Sequence, residues 1–119
     1  MADLRAVGRR VLTENMGAAA GESLLVVTDT DKREIGRALF EAGGDLDLDA
    51  GMIETPPMER SGMEPPAFVS AAMREADVVV APTSASLTHT RAREAATEAG
   101  ARVATMPGIT ERMFGEGAI

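Results

Sequence analysis

The sequence predicts an α/β fold in which helices cover both faces of a mostly parallel, four-stranded sheet. Short apolar runs at residues 23–28 and 78–82 are typical of strands that are buried on both faces. Segments with apolar residues at helical spacing separate these runs, so strand and helix alternate along the chain. Right-handed crossovers between parallel strands then give a three-layer sandwich, which we expect to form a single domain of residues 1–119.

The first half of the chain is predicted to hold two helices and two strands. Residues 2–15 form an amphipathic helix, and residues 23–28 form the first strand. A second helix follows and ends at Gly43. Period-two alternation over residues 45–55, with acidic side chains on one face, predicts an edge strand, and residues 58–64 form a loop. Three candidate N-caps precede the second helix: Asp29, Thr30 and Asp31.

The second half repeats the alternation of helix and strand. Two consecutive prolines preset the start of a helix over residues 65–76, which leads into the buried strand 78–82. A helix from about residue 87 to residue 99 and a last strand over residues 102–106 follow. A short segment capped by Thr110 ends the pattern.

Composition limits both the core and the partners. Only three of the 119 side chains are aromatic, so the core must be built from small residues. Twelve basic and nineteen acidic side chains give a formal net charge of −7. Such a charge repels phosphate backbones and anionic lipids, so we expect neither nucleic acid nor a membrane as partner. The absence of cysteine excludes a disulfide framework, a thiolate metal site and a cysteine nucleophile.

No segment of the sequence has the pattern of a membrane span or a signal peptide. The longest uninterrupted apolar run, at residues 78–82, is far shorter than the about 20 residues that a bilayer span needs. Residues 1–16 carry charges where a signal peptide needs an apolar block. We therefore expect a cytoplasmic protein.

The predicted topology places polar residues at one crevice. A Rossmann-like or flavodoxin-like sheet with the strand order 2-1-3-4 binds ligands beyond the carboxyl ends of its strands, where the strand order reverses. That point lies between the first and third strands. Asp29 and Thr30 are then expected opposite Thr83, Ser84 and Ser86.

The start of the helix at Leu87 is a candidate anion site. Its backbone amides, together with the hydroxyl groups of Ser84, Ser86 and Thr88, can hold an anion or a carboxylate. The alternative is that these hydroxyl groups are ordinary helix caps, with Ser86 as the capping residue.

The same segment contains the only histidine, His89, followed by Arg91, and both complete the set of candidate ligand-binding residues. His89 can bind a carboxylate-bearing ligand or carry a proton, or it can simply lie at the surface or in an interface. A single histidine does not make a metal site without carboxylate partners, and no His-Glu-x-x-His pattern is present. No Gly-x-Ser-x-Gly elbow surrounds Ser84 or Ser86. We therefore expect no catalytic residue and no metal ligand in this chain.

Five motifs together resemble a known family over nearly the whole chain. They are GESLLVVTD at 21–29, EPP at 64–66, ADVVVAPT at 76–83, SLTHT at 86–90 and ATMPGIT at 104–110. With them the chain resembles the amino-terminal domain of metalloaminopeptidases of the aminopeptidase T and aminopeptidase S type. It is also similar to that domain of the related 2,5-dihydroxypyridine dioxygenases. The stretch at 43–49 departs from the family pattern.

The resemblance implies a domain that does not catalyse by itself. In that family the divalent metal is bound in a larger carboxyl-terminal domain, so no family metal ligand maps onto a residue of this sequence. The family's enzymes are oligomers, and residues 83–91 are expected to face the active-site cavity of the same subunit or a neighbour.

Two interpretations therefore compete. The first is a separated or truncated amino-terminal domain, inactive alone, that forms part of a substrate-cavity wall and contacts the catalytic domain or other subunits. The second is a free-standing α/β binding module for a small carboxylate ligand or a protein partner.

Overall fold

Four short strands form one parallel sheet in the computed structural model, which describes residues 3–116. The strands are β1 (Ser23–Asp29), β2 (Asp49–Thr55), β3 (Val78–Ala81) and β4 (Arg102–Thr105). They lie in the order β2-β1-β3-β4, and each neighbouring pair is parallel. The predicted strand order is confirmed, and the sheet is parallel throughout.

Five helices lie in two layers around the sheet. They are α1 (Leu4–Arg10), α2 (Arg33–Asp45), α3 (Ala67–Glu75), α4 (Arg91–Glu98) and α5 (Glu111–Gly115). A π-helical segment, Val11–Asn15, continues α1. Buried side chains of α1, α2 and α5 pack on one face of the sheet, and those of α3 and α4 pack on the other. The three-layer α/β sandwich is therefore confirmed.

The two apolar cores follow from the period of a β-strand. Successive side chains of a strand point to opposite faces, so an entirely apolar strand supplies both cores at once. In β1, Leu24 and Val26 join the core beneath α1 and α2, while Leu25 and Val27 join the core beneath α3 and α4.

Helix α2 lies very close to the sheet because glycines face it. A Cβ atom added at Gly36 would lie 2.8 Å from the Cβ of Thr28, and one added at Gly43 would lie 2.6 Å from Leu24 Cδ2. Both distances are shorter than side-chain atoms tolerate, and Thr28 is fully buried. Glycine is therefore required at Gly36, where the short, buried side chain of Thr28 cannot move aside.

The expected edge strand at 45–55 is wrong in its first four residues. Helix α2 continues through Gly43 and Gly44 to Asp45, and β2 begins only at Asp49. The backbone amides of Asp47 and Leu48 donate hydrogen bonds to the carbonyl oxygens of Gly44 and Gly43, at 3.2 and 3.0 Å, and so close the last turn of the helix. Asp47 has a φ of 60°, a left-handed conformation that is incompatible with a strand.

The amino-terminal helix begins at Leu4 and, with its π-helical continuation, ends at Asn15 as predicted. Asp3 caps α1 through its side chain, which accepts hydrogen bonds from the amides of Arg5 and Ala6. The predicted start at residue 2 lies outside the described residues. Within residues 3–116 no helix has the length and apolar character needed to cross a membrane.

Asp45 ties the end of α2 to α1. Its carboxylate accepts hydrogen bonds from Arg5 Nε at 2.6 Å and from Arg9 Nη1 at 3.0 Å. The hydrogen bonds from Arg5, and secondarily those from Arg9, lower the pKa of Asp45 from 3.8 to about 2. These contacts are on the surface, yet they link two helices that share one core.

We expect Gly36→Ala to lower the free energy of unfolding by about 1–3 kcal/mol, because the added methyl group overpacks against Thr28. Gly44→Ala is the matched control in the same helix, since nothing lies within 4 Å of its added Cβ. It should leave stability unchanged or raise it by up to about 1 kcal/mol. Urea unfolding measures both, and equal stabilities of the two variants would contradict the close approach of α2.

We also expect Asp45→Asn to make stability less dependent on pH in acid. A carboxyl group with a lowered pKa stabilises the fold above its ordinary value of 3.8 and loses this contribution as the pH falls through about 2. The variant should therefore be less stable than the parent at pH 6, and the difference should shrink as the pH approaches 2. Urea midpoints over this range measure it; a constant difference would argue against the ion pair.

Candidate functional site

The carboxyl ends of the four parallel strands meet at one edge of the molecule. Because β1 and β3 are neighbours, Asp29 at the end of β1 lies beside Ser84 in the loop after β3. This is the point at which the strand order reverses, the usual place for a ligand in an open α/β sheet. The structure thus brings together two residues that the sequence analysis had placed on opposite sides of a crevice.

Asp29 is buried, with 2% of its surface exposed, and its carboxylate is fully engaged within the chain. Oδ1 accepts hydrogen bonds from the amides of Asp31 and Lys32 at 3.0 and 3.1 Å. Oδ2 accepts one from the amide of Ser84 at 2.7 Å, and the Ser84 hydroxyl donates to Oδ1 at 3.2 Å. The carboxylate therefore joins the start of α2 to the loop after β3 and is not available to a ligand in this conformation.

The neighbouring threonines also bind the chain itself. The buried Thr28 hydroxyl donates to the carbonyl oxygen of Pro82 at 2.9 Å, and that of Thr83 donates to the carbonyl oxygen of Ala85 at 2.6 Å. Thr30 is exposed at the rim of the edge. Of the residues predicted for the crevice, only Thr30 presents a largely accessible side chain.

The helix expected to start at Leu87 starts at Arg91. Thr90 is its N-cap: its hydroxyl oxygen accepts a hydrogen bond from the amide of Arg93 at 3.2 Å and donates to the carbonyl oxygen of Leu87 at 2.7 Å. The prediction of Ser86 as the helix cap is therefore wrong. The threonine side chain stabilises the turn before the helix in preference to a helical conformation at its own position.

Residues 86–90 form a turn in place of the first helical turn. The Ser86 hydroxyl oxygen accepts a hydrogen bond from the amide of Thr88 at 3.1 Å, and the hydroxyl groups of Thr88 and Thr105 lie 2.6 Å apart. His89 and Arg91 are exposed. Within residues 3–116 no hydrogen bond joins Thr88, His89 or Arg91 to Asp29, so the predicted site residues divide into an inner and an outer group.

The start of α4 binds a carboxylate, but one from the same chain. Glu64 accepts hydrogen bonds from the amide of Arg91 at 2.8 Å and from the amide of Ala92 at 3.1 Å. The guanidinium of Arg91 lies 3.9 Å from the same carboxylate. The anion-binding property predicted for this helix is thus used by an internal residue.

Glu64 has no role in the sequence analysis beyond the EPP motif. It precedes Pro65-Pro66 in a loop and is 27 residues from Arg91 in the chain. Capping motifs that sequence reasoning recognises join residues three positions apart. No local pattern therefore identifies a cap that comes from a different segment.

Two cavities lie at this edge of the molecule. A small apolar cavity separates the strand ends from the loop after β2, and its lining includes Val27, Met58, Pro65 and Leu87. An open cleft of about 330 Å³ lies on the other face, between the start of α2 and the start of α5. The cleft is lined by residues 30–35 and 109–111 and carries both acidic and basic side chains. Of these residues, only Thr30 was predicted from the sequence to bind a ligand.

The polar side chains at the strand ends bind groups of the same chain. Within residues 3–116 no group of three or more His, Cys, Asp or Glu side chains is arranged to hold a metal ion. The two serines of the edge, Ser84 and Ser86, bind Asp29 and the amide of Thr88. These hydrogen bonds give partners to the polar groups at the strand ends.

The sequence matches no protein-family model and no curated protein. The structure is similar to that of 2,5-dihydroxypyridine dioxygenase from Pseudomonas putida KT2440, with a TM-score of 0.71 and 18% identity. It is also similar to wild-type AmpT from Thermus thermophilus, with a TM-score of 0.58 and 13% identity. The likeness shows the fold. At these identities it shows nothing more.

The chain spans only a part of each of these proteins. The first comparison covers 87% of this chain and 33% of the dioxygenase, and the second covers 96% of this chain and 41% of AmpT. Each of these two proteins therefore has a second, larger portion that has no counterpart in this chain.

We expect Asp29→Asn to lower the free energy of unfolding by about 2 kcal/mol, because the amide nitrogen would face a backbone donor and the charge-assisted bonds would be lost. Asp31→Asn is the matched control: Asp31 is exposed and accepts one long bond, from the Ser84 hydroxyl at 3.3 Å. Its cost should stay below about 0.5 kcal/mol. Chemical denaturation compares the two, and an Asp29→Asn variant as stable as the parent would refute the structural role of this carboxylate.

Proposed function

We propose that this chain is a non-catalytic domain of a metalloaminopeptidase-like enzyme, or of a related ring-cleaving dioxygenase. In this proposal the domain forms part of the substrate-cavity wall, contacts a catalytic domain or other subunits, and works in the cytoplasm. The observation that carries it is the fold: nearly all of this chain matches one third to two fifths of a dioxygenase and of AmpT. The remainder of such an enzyme would supply the reacting groups.

The geometry of the strand ends supports a role as part of a cavity wall in preference to a role as a ligand-binding site. The buried polar side chains at the point where the strand order reverses bind one another and the backbone. Few of these buried groups are therefore left to bind a ligand. The outer residues His89 and Arg91 are exposed, and residues 83–91 are the segment that we propose to face the cavity of the enzyme.

The divalent metal that the family implies does not fit the described residues. The family's chemistry requires a cluster of carboxylate and imidazole ligands, and residues 3–116 hold no such cluster. We therefore place the metal in the proposed catalytic domain, and assign no step of the reaction to a residue of this chain.

The alternative, a free-standing module for a small carboxylate, has less support. The amides at the start of α4, where the sequence predicts an anion site, bind a carboxylate, but Glu64 already occupies them. An external carboxylate would have to displace a residue of the chain that is held at high effective concentration.

The proposal is tested with the isolated chain and with the product of the reading frame directly downstream of Ile119. We expect that frame to encode clustered His, Glu and Asp residues, and the two polypeptides to form a complex when they are expressed together. The complex should bind a divalent metal and turn over an aminoacyl anilide or 2,5-dihydroxypyridine, whereas this chain alone should do neither. Size-exclusion chromatography, metal analysis and both assays measure these outcomes.

Stoichiometric tight metal binding or turnover by the isolated chain would overturn the proposal. A His89→Ala variant adds a second readout. Because His89 is exposed, we expect it to retain the stability of the parent but to weaken the complex. An Arg10→Ala variant, also exposed but on α1, is the control and should assemble like the parent.

A further inference from the structure

The loop between β2 and α3 is built differently from the other connections of the fold. Residues 58–64 lie between two proline pairs, Pro56-Pro57 and Pro65-Pro66. Proline restricts the backbone, so both ends of this loop are conformationally restricted. We call residues 58–64 the strap. Five of its seven residues are exposed, and only Met58 and Met63 are half-buried. Apolar burial therefore contributes little to holding the strap in place.

The strap is held instead by four hydrogen bonds to one neighbouring segment, residues 86–92. The amide of Ser86 donates to the Ser61 hydroxyl at 3.0 Å, and the amide of Gly62 donates to the carbonyl oxygen of Ser86 at 3.1 Å. The other two bonds run from the amides of Arg91 and Ala92 to Glu64. All four bonds break together if the strap leaves this segment.

Of these four hydrogen bonds, the two to Glu64 belong to the strongest type. They join a carboxylate to backbone amides at the start of a helix, where the partial positive charge of the helix adds to the hydrogen bonds. The bonds at Ser61 and Gly62 join neutral groups at an exposed position. Removing the charge of Glu64 therefore weakens the attachment more than any other single change in the strap.

Beneath the strap lies the small apolar cavity at the strand ends. Its lining includes Met58 of the strap, the adjacent Pro65, and Val27, Val69 and Leu87. Val27 belongs to β1, which ends at the point where the strand order reverses. Movement of the strap carries Met58 away and thus opens this cavity, which we call the apolar crevice.

We propose that the strap is a latched cover, and that release of Glu64 from the start of α4 opens it as a unit over the apolar crevice. The inference is independent of the proposed function, because it concerns a motion of this chain alone. Opening breaks hydrogen bonds whose donors are four backbone amides: Gly62, Ser86, Arg91 and Ala92. It also frees the backbone after Arg60 from the hydrogen bonds at Ser61 and Gly62, so that this segment can fit the active site of a protease.

Amide hydrogen exchange and limited trypsin digestion test the latch. In the parent, the four amides should exchange through one shared opening that is more frequent than global unfolding, which the amides of β3 report. Glu64→Gln should speed exchange at all four amides by about tenfold, and cleavage after Arg60 should rise in parallel. Glu59→Gln is the matched control in the strap and should leave all these rates unchanged, because Glu59 is exposed and makes no hydrogen bond or ion pair within residues 3–116.

Faster exchange at Arg91 and Ala92 alone in Glu64→Gln would overturn the proposal, since Glu64 would then be only a helix cap. Exchange of the four parent amides through global unfolding alone would overturn it as well. The parent measurement does not require any variant to fold, so it decides the question even if Glu64→Gln is unstable.

Discussion

The carboxyl edge of this sheet depends on one buried carboxylate, that of Asp29. A parallel sheet ends all its strands at the same edge, and α2 begins there within four residues of β1. Within residues 3–116 the amides of Asp31 and Ser84 have no other hydrogen-bond acceptor, and the amide of Lys32 has only the backbone carbonyl oxygen of Asp29 besides. Asp29 accepts from all three, and so fixes the angle at which the chain leaves β1 and the position of the loop after β3. The same bonds close the crevice that this topology usually leaves open.

A second constraint acts on the face that α1 and α2 cover. With only three aromatic side chains in the sequence, the core cannot be filled by large residues, and the layers approach one another closely instead. Gly36 and Gly43 permit this approach on the sheet side of α2, and Gly8 of α1 permits it where an added Cβ would lie 3.0 Å from Ala42. The arginine contacts of Asp45 then fasten the same two helices at the surface.

The predictable features of the fold are those with a local signal. A strand covered on both faces is apolar along most of its length, so the sequence predicts β1 and β3, and their alternation with helices predicts a parallel sheet. The strand order is that of a flavodoxin-like sheet, and it is confirmed. The start of α4 was missed because Ser86 offers a candidate N-cap four residues before Thr90, and because Glu64, which also binds the start of the helix, comes from a distant segment. In residues 45–48, acidic and apolar side chains alternate as they do in an edge strand. The left-handed conformation of Asp47, which excludes a strand, has no signal in this pattern. At the candidate site, the predicted topology correctly places Asp29 near Ser84. The hydrogen bonds between these two residues are seen only in the structure.

The proposed function follows from which polar groups are left unpaired at this edge. A module that captures a small ligand keeps donors and acceptors unpaired at its crevice, because binding energy comes from satisfying them. Here Asp29, Thr83 and Ser84 are paired within the chain, and the start of α4 is paired with Glu64. The exposed residues beside the edge, Thr30, His89 and Arg91, can contact a second surface without any rearrangement. In the proposed function, the paired side chains at the point where the strand order reverses form a wall against which another domain packs, and the apolar crevice becomes accessible only where the strap moves.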